Sequence, residues 1–162
     1  MSSIMTQRTA AIASFVENPV FLSTLTSWFV AQLLKVVIVI LRTHRRSARE
    51  IAATLMWRTG GMPSSHSSLV AALATSVAFR EGIGSTLFIV TLCLAMIVIR
   101  DSLGVRRSSG LQARSLNLLG REVSGRLGIE YRPVKEIQGH APLEVLVGAL
   151  LGLFIAIAFA VL

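Results

Sequence analysis

The stretch LEVLVGALLGLFIAIAFAVL, residues 143–162, carries a single charge, on Glu144. At about 1.5 Å per residue, a helix of this length crosses the roughly 30 Å hydrocarbon core of a bilayer. Two further stretches have the same character: residues 21–41, interrupted by Lys35, and residues 83–99, which carry no charge. These three stretches predict an all-α, polytopic membrane helical bundle.

The composition of the whole chain agrees with a membrane protein. Of 162 residues, 53% are apolar and only 15% are charged, whereas a soluble domain has about 25% charged residues. High hydrophobicity excludes intrinsic disorder, and a single cysteine excludes a disulfide scaffold. The net charge of +8 would suit nucleic acid. The apolar excess favours a bilayer partner instead, and no nucleic-acid partner is expected.

A fourth span is predicted over residues 64–79, which are rich in alanine and serine. Gly82 and Gly84 offer a tight turn between this span and residues 83–99, so the two form a helical hairpin. Residues 1–17 are expected to be a short interfacial segment, because Glu17, Asn18 and Pro19 break them from the first span. Residues 18–162 then form the membrane-embedded domain.

The basic residues are distributed asymmetrically. With four spans, residues 42–63 and 100–139 lie on one side, and they hold 13 of the 16 Lys and Arg residues. The positive-inside rule places both loops in the cytoplasm and both termini opposite. Within the second loop, apolar residues at helical spacing predict a helix along the membrane surface, capped by Ser108 or Ser109. The apolar residues are Leu116, Leu119, Val123 and Leu127.

Polar residues at membrane depth are costly and need a reason. Lys35 and Arg42 are two helical turns apart on one face, although snorkelling alone would explain Lys35. Ser64, Ser65 and His66 open the second span, where free backbone N–H groups and hydroxyls can bind an anion. The alternative is a capped helix with an incidental histidine.

His140 and Glu144 open the last span and meet on one face, four residues apart. A carboxylate on one imidazole nitrogen makes the other a better nucleophile or base; an ordinary polar pair is the alternative. Metal binding is disfavoured by the surrounding arginines, and no metal or cofactor is expected. Asp101 is expected in an ion pair, and Arg106 and Arg107 as membrane anchors or phosphate ligands.

All of these groups reach the same face of the membrane. The cytoplasmic end of the bundle, here called the mouth, would hold cations, a helix N-terminus and two histidines. This combination indicates a phosphate site, with one histidine able to attack and the other to protonate a leaving oxygen.

Three runs of sequence resemble the divergent branch of the type 2 phosphatidic acid phosphatase family, which is related to acid phosphatases and vanadium haloperoxidases. They are TGGMPSSHSSLVAALAT (59–75), DSLGVRRSSGLQARSLN (101–117) and KEIQGHAPLEVLVGALLG (135–152). The resemblance extends from about Asn18 to the C-terminus.

The three signatures of the wider superfamily carry over unevenly. Lys35 and Arg42 fit the first, although Thr43 replaces its proline, and residues 63–66 fit the second. His140 fits the third, with Glu144 in place of its aspartate.

One residue of the third signature is missing. Val134 stands where the superfamily has an arginine, so Lys135, Arg106 or Arg107 is expected to supply that charge.

The resemblance implies a metal-independent lipid phosphate phosphatase with His140 as nucleophile, Glu144 as its orienting carboxylate and His66 as general acid. Lys35, Arg42, Ser65 and Arg106 or Arg107 would bind the phosphate. Superfamily members usually have about six helices, so a homodimer is expected to complete this smaller bundle. The alternative is a non-catalytic membrane protein that binds or transports anionic lipid phosphates.

Overall fold

The computed structural model describes residues 2–42, 61–136 and 139–162. Within them the chain is helical and contains no strand, which confirms the all-α prediction. The helices are α1 (Ser2–Val16), α2 (Pro19–Arg42), α3 (Ser65–Glu81), α4 (Thr86–Leu103), α5 (Val105–Leu127) and α6 (Pro142–Val161).

Three of these helical segments are long and apolar enough to cross a bilayer. They lie within Pro19–Leu41, Thr86–Leu127 and Pro142–Val161, and they correspond to the first, third and fourth predicted spans. The second predicted span is helix α3, whose 17 residues are less apolar. The structure is a membrane helical bundle, and the count of four spans stays a prediction.

Helix α3 lies at the centre of the bundle, packed against α2, α4 and α6. Its small side chains, including Ser67, Ser68 and Ala72, are buried. A helix surrounded by protein needs no lipid-facing apolar surface, and this accounts for the alanine and serine content of residues 64–79.

Two glycines allow α6 to approach α3 closely. A Cβ on Gly148 would collide with the carbonyl oxygen of Ser64, and one on Gly152 would collide with that of Ser68. The Gly148–Gly152 pair is therefore a packing motif of the kind common in membrane helices.

Serine pairs join α2 to α3 inside the bundle. The hydroxyls of Ser27 and Ser68 lie 2.5 Å apart, and those of Ser23 and Ser76 lie 2.6 Å apart. Each pair satisfies two hydroxyls that would otherwise be costly to bury.

The turn between α3 and α4 confirms the predicted hairpin. Gly82 ends α3 with a positive φ of 83°, a conformation that glycine adopts without strain. Ser85 begins α4 by accepting a hydrogen bond from the Phe88 N–H at 3.1 Å. The hairpin brings α4 back beside α3.

The predicted surface helix is present as α5, but its predicted start is wrong. Gly104 separates α4 from α5, which begins at Val105. Ser108 and Ser109 therefore lie inside the helix and cannot cap it. The helix is amphipathic, with Leu116, Leu119 and other large apolar side chains exposed on the protein surface.

The N-terminal segment forms α1, which contacts the bundle at α2. The rings of Phe15 and Phe21 are 4.5 Å apart, and Asn18 begins α2 by accepting the Val20 N–H at 2.9 Å. The interfacial location of residues 1–17 stays a prediction. Most of the predicted loop at residues 42–63 lies outside the described residues.

Candidate functional site

His140 lies just before α6, in a position fixed by α4 and α6 together. Its backbone N–H donates to the carbonyl oxygen of Ser102 near the end of α4, at 3.3 Å. Its Nδ1 lies 2.9 Å from Oε2 of Glu144, and its side chain is only 6% exposed. The Ala141 N–H also donates to Oε2, at 3.1 Å. The predicted His140–Glu144 pair is therefore formed, with its histidine buried and its carboxylate partly exposed.

This geometry fixes the tautomer of His140. An ionised carboxylate only accepts hydrogen bonds, so Nδ1 must carry the proton and donate it. The lone pair of a neutral imidazole is then on Nε2, the nitrogen that does not face Glu144. Such an imidazole is oriented to act as a nucleophile or as a base.

Lys35 is buried inside the bundle, 4% exposed. Its Nζ donates to Ser65 Oγ at 3.1 Å, and its charge interacts with that of Glu144. Lys35 therefore does not snorkel to the surface, and that alternative is wrong. Its ammonium group lies at the beginning of α3, next to the His140–Glu144 pair.

His66 is in the first turn of α3, and in contrast to His140 it is exposed. Four charged or titratable groups act electrostatically on its imidazole. They come from α2, from α4 and α5, and from the start of α6: Lys35, Asp101, Arg106 and His140. The structure thus brings the two histidines to one mouth, as predicted.

The N-terminus of α3 is tied to α6. Ser64 N–H donates to the carbonyl oxygen of Glu144 at 2.9 Å. The Ser64 hydroxyl accepts from the Ser67 hydroxyl at 3.0 Å and caps the helix through Ser67 N–H. Ser64 is fully buried, so its direct contact with a substrate stays a prediction. Ser65 is the serine that contacts Lys35.

The basic residues that follow α4 occupy different environments. Arg106 Nε lies 2.7 Å from Asp101 Oδ2, which is the ion pair predicted for Asp101. Arg107 and Lys135 have exposed side chains, and neither is among the charges that act on His66. Of these three cations, Arg106 is therefore the one that the structure brings to His66, and which of them replaces the arginine missing at Val134 stays a prediction.

Gly139, the residue before His140, packs closely against the start of α5. A Cβ on Gly139 would lie 2.5 Å from the backbone of Arg107, so only glycine fits this contact. The close packing sets the position of His140, the next residue. Arg42 ends α2, and its side chain lies outside the described atoms, so its predicted phosphate contact stays a prediction.

The sequence analysis missed Asn117. It is 4% exposed, and its amide holds the segment that leads from α5 back to His140. Its Nδ2 donates to Val134 O and to Glu136 Oε1, both at 2.9 Å, and Oδ1 accepts from Val134 N–H at 2.8 Å.

Tyr131 completes this contact. Its hydroxyl donates to Asn117 Oδ1 at 2.8 Å, and its ring occupies the space beside Gly120. The signal available in the sequence was a polar residue next to Leu116, within the apolar stripe of a predicted helix.

No group of three or more His, Cys, Asp or Glu side chains with metal-binding geometry occurs in the part of the chain that the structure describes. The groups that converge at the mouth are cations, a hydroxyl, two imidazoles and two carboxylates. The carboxylates of Asp101 and Glu144 are already paired, with Arg106 and His140, and the remaining donors suit an anion such as phosphate.

The fold and this cluster of basic and histidine side chains define a helical membrane protein with one polar site at the end of its bundle. Residues 16–155 match the family described as "Divergent PAP2 family". The chain belongs to this family, which confirms the resemblance seen in its motifs.

A curated relative supports the same assignment. The chain is 37% identical over 150 residues to "Uncharacterized membrane protein YuiD" of Bacillus subtilis (strain 168). The match covers 86% of this chain and 92% of the relative. No solved structure matches the chain.

Proposed function

We propose that the protein hydrolyses the phosphomonoester of a membrane lipid at the cytoplasmic face, through a phosphohistidine on His140. The His140–Glu144 pair carries the proposal, because its hydrogen bond leaves Nε2 of the buried imidazole as an oriented nucleophile. Membership of the divergent PAP2 family supports a relation to phosphatases.

In the first step, Nε2 of His140 attacks phosphorus and a nitrogen–phosphorus bond forms. The bond between phosphorus and the lipid oxygen breaks, and protonated His66 gives its proton to the leaving alkoxide. General acid catalysis of this kind contributes about 10²- to 10⁴-fold to the rate. The lipid leaves as an alcohol.

In the second step, neutral His66 takes a proton from water, and the hydroxide attacks phosphorus. The nitrogen–phosphorus bond breaks, inorganic phosphate leaves, and His140 and His66 return to their starting states. The cycle consumes one water and needs no metal or cofactor.

The non-bridging oxygens bind the Lys35 ammonium, the Ser65 hydroxyl and the Arg106 guanidinium. Asp101 holds Arg106 through Nε, and this contact leaves the two terminal amino groups of the guanidinium to face the phosphate. Such a fork matches two phosphate oxygens at once.

The test measures phosphate release by purified protein in the presence of a chelator. Phosphatidic acid, phosphatidylglycerol phosphate and a polyprenyl phosphate are offered in vesicles, since all three present a phosphomonoester. We expect release from at least one of them, and His140→Ala should abolish release but retain binding. Cys93→Ala is the matched control, because Cys93 is exposed away from the site.

Two results would overturn the proposal. Binding of these lipids by the wild type without any release would favour the non-catalytic binding or transport protein. Loss of release on chelation, restored by one divalent ion, would show that the mechanism depends on a metal.

A further inference from the structure

A groove runs along the outside of α3, between α4 and α6. Its floor is made of small residues of α3, among them Ala71, Ala74 and Ala78, and its volume is about 480 Å³. Its walls are large apolar side chains such as Leu92 and Leu150. Helices α4 and α6 both pack against α3 but make few contacts with each other. The groove lies between them, where the side chains of α3 are too small to fill the space.

One end of the groove adjoins the proposed catalytic site. Ile99 lines the groove one turn before Ser102, whose carbonyl oxygen accepts the His140 N–H. Leu146 lines the same end, two residues after Glu144. This end of the groove therefore lies about one helical turn from the groups that position His140, and from there the groove runs along α3 away from the site.

The dimensions of the groove suit a single hydrocarbon chain. Phe88 and Ile99 line its two ends, and eleven residues of α4 separate them by about 16 Å. A groove of about 480 Å³ over that length has room for a slender apolar chain. A helix about 10 Å across and about 16 Å long would need about 1,250 Å³.

We infer that this groove holds one hydrocarbon chain of the lipid whose phosphate is bound beside His140; the inference rests on the proposed function. The groove would align the chain with α3 and place the ester oxygen at His66. Because the surrounding lipid is as apolar as the groove, the gain is in positioning of the phosphate rather than in hydrophobic transfer.

The experiment places phenylalanine at two depths of the groove. Ala149→Phe obstructs it about 8 Å beyond Glu144, and Ala78→Phe obstructs it about 18 Å beyond His66, at 1.5 Å per residue. Ala158→Phe on α6 is the control, because Ala158 is exposed and does not line the groove. Butyl, dodecyl and octadecyl phosphate are offered at equal mole fraction in the same detergent micelles.

Chain length should then decide which variant is impaired. With carbon–carbon bonds of about 1.5 Å, an extended dodecyl chain spans about 14 Å and an octadecyl chain about 22 Å. Ala149→Phe should lower kcat/KM about tenfold for both long substrates, since a misplaced phosphate reacts slowly. Ala78→Phe should do so for octadecyl phosphate alone. Butyl phosphate should be hydrolysed at the wild-type rate by every variant, which also shows that the variants fold.

The failures of the two proposals are distinguishable. If the wild type hydrolyses neither the three alkyl phosphates nor any of the membrane lipids offered above, the proposed function is overturned. If it hydrolyses a membrane lipid but no alkyl phosphate, the groove inference is overturned, because one chain then does not position the phosphate. If the wild type is active and both groove variants match Ala158→Phe at every chain length, only the groove inference is overturned. A wild-type dimer that Ala149→Phe converts to a monomer, with unchanged chain-length preference, would instead assign the groove to a second copy of the chain.

Discussion

His140 Nδ1 lies 2.9 Å from Glu144 Oε2, in a pair whose histidine is almost wholly buried. The carboxylate also accepts the Ala141 N–H, so its position is set by the backbone at the start of α6. Glu144 orients the imidazole and would stabilise positive charge on it during attack.

Glu144→Gln keeps the shape of the side chain and removes its charge. A hydrogen bond to a charged group is worth about 1.5–3 kcal/mol, so kcat should fall about 10- to 150-fold. Phosphate release under single-turnover conditions measures this loss. Glu122→Gln, at an exposed ion pair of α5, is the control. An unchanged kcat in Glu144→Gln would show that the carboxylate has only a structural role.

Charge-preserving changes should separate Arg106 from Arg107. Arg106→Lys loses the planar fork that Asp101 positions, and kcat/KM should fall about 10- to 150-fold, as expected for a lost charge-assisted hydrogen bond. Arg107→Lys should be close to wild type, because its side chain is exposed. A larger loss in Arg107→Lys than in Arg106→Lys would reverse the assignment. Wild-type behaviour of both would make Lys135 the leading candidate.

Asn117→Ala should lower stability without touching a reacting group. It removes the three hydrogen bonds that the buried Asn117 amide makes to Val134 and Glu136, each worth about 0.5–1.5 kcal/mol, so the total cost should be about 2–3 kcal/mol. The free energy of unfolding in a mixed-micelle denaturation measures this loss. Ser115→Ala, at an exposed position of the same helix, should change it by less than about 0.5 kcal/mol. Equal stabilities of the two variants would contradict the role given to Asn117.

The topology can be tested with single cysteines in a Cys93→Ala background. Glu130→Cys lies in the loop predicted to be cytoplasmic and is 82% exposed, so it should resist a membrane-impermeant thiol reagent in intact cells. Glu81→Cys lies in the opposite turn, is exposed and should react. The reverse labelling pattern would move the site to the other face of the membrane.

The helices and the main site pair could be predicted from the sequence because both depend on local spacing. An apolar run of bilayer length predicts a helix, and a separation of four residues places His140 and Glu144 on one face. The family motifs add the order of the elements, and the match over residues 16–155 agrees with them.

Contacts between distant segments could not be predicted in this way. From the sequence alone, Lys35 could have extended to the membrane surface. The packing of α2 against α3 instead places Ser65 beside its ammonium group. Asn117 bonds to residues 17 and 19 positions away, a separation that no helical period encodes. Gly139 packs against the backbone of Arg107, 32 positions away, and this contact also lies beyond any local pattern.

The central claim is the phosphohistidine at His140, and trapping it tests that claim most directly. An aryl phosphate labelled at phosphorus needs little help from a general acid, so His66→Ala should still undergo the first step. Without His66 to activate water, the labelled protein should accumulate. Rapid quenching and peptide mapping should then find one acid-labile, base-stable phosphate on His140, and no label in the His140→Ala, His66→Ala double variant. Phosphate release by the wild type with no label on His140 in either protein, or a label at another residue, would contradict the account.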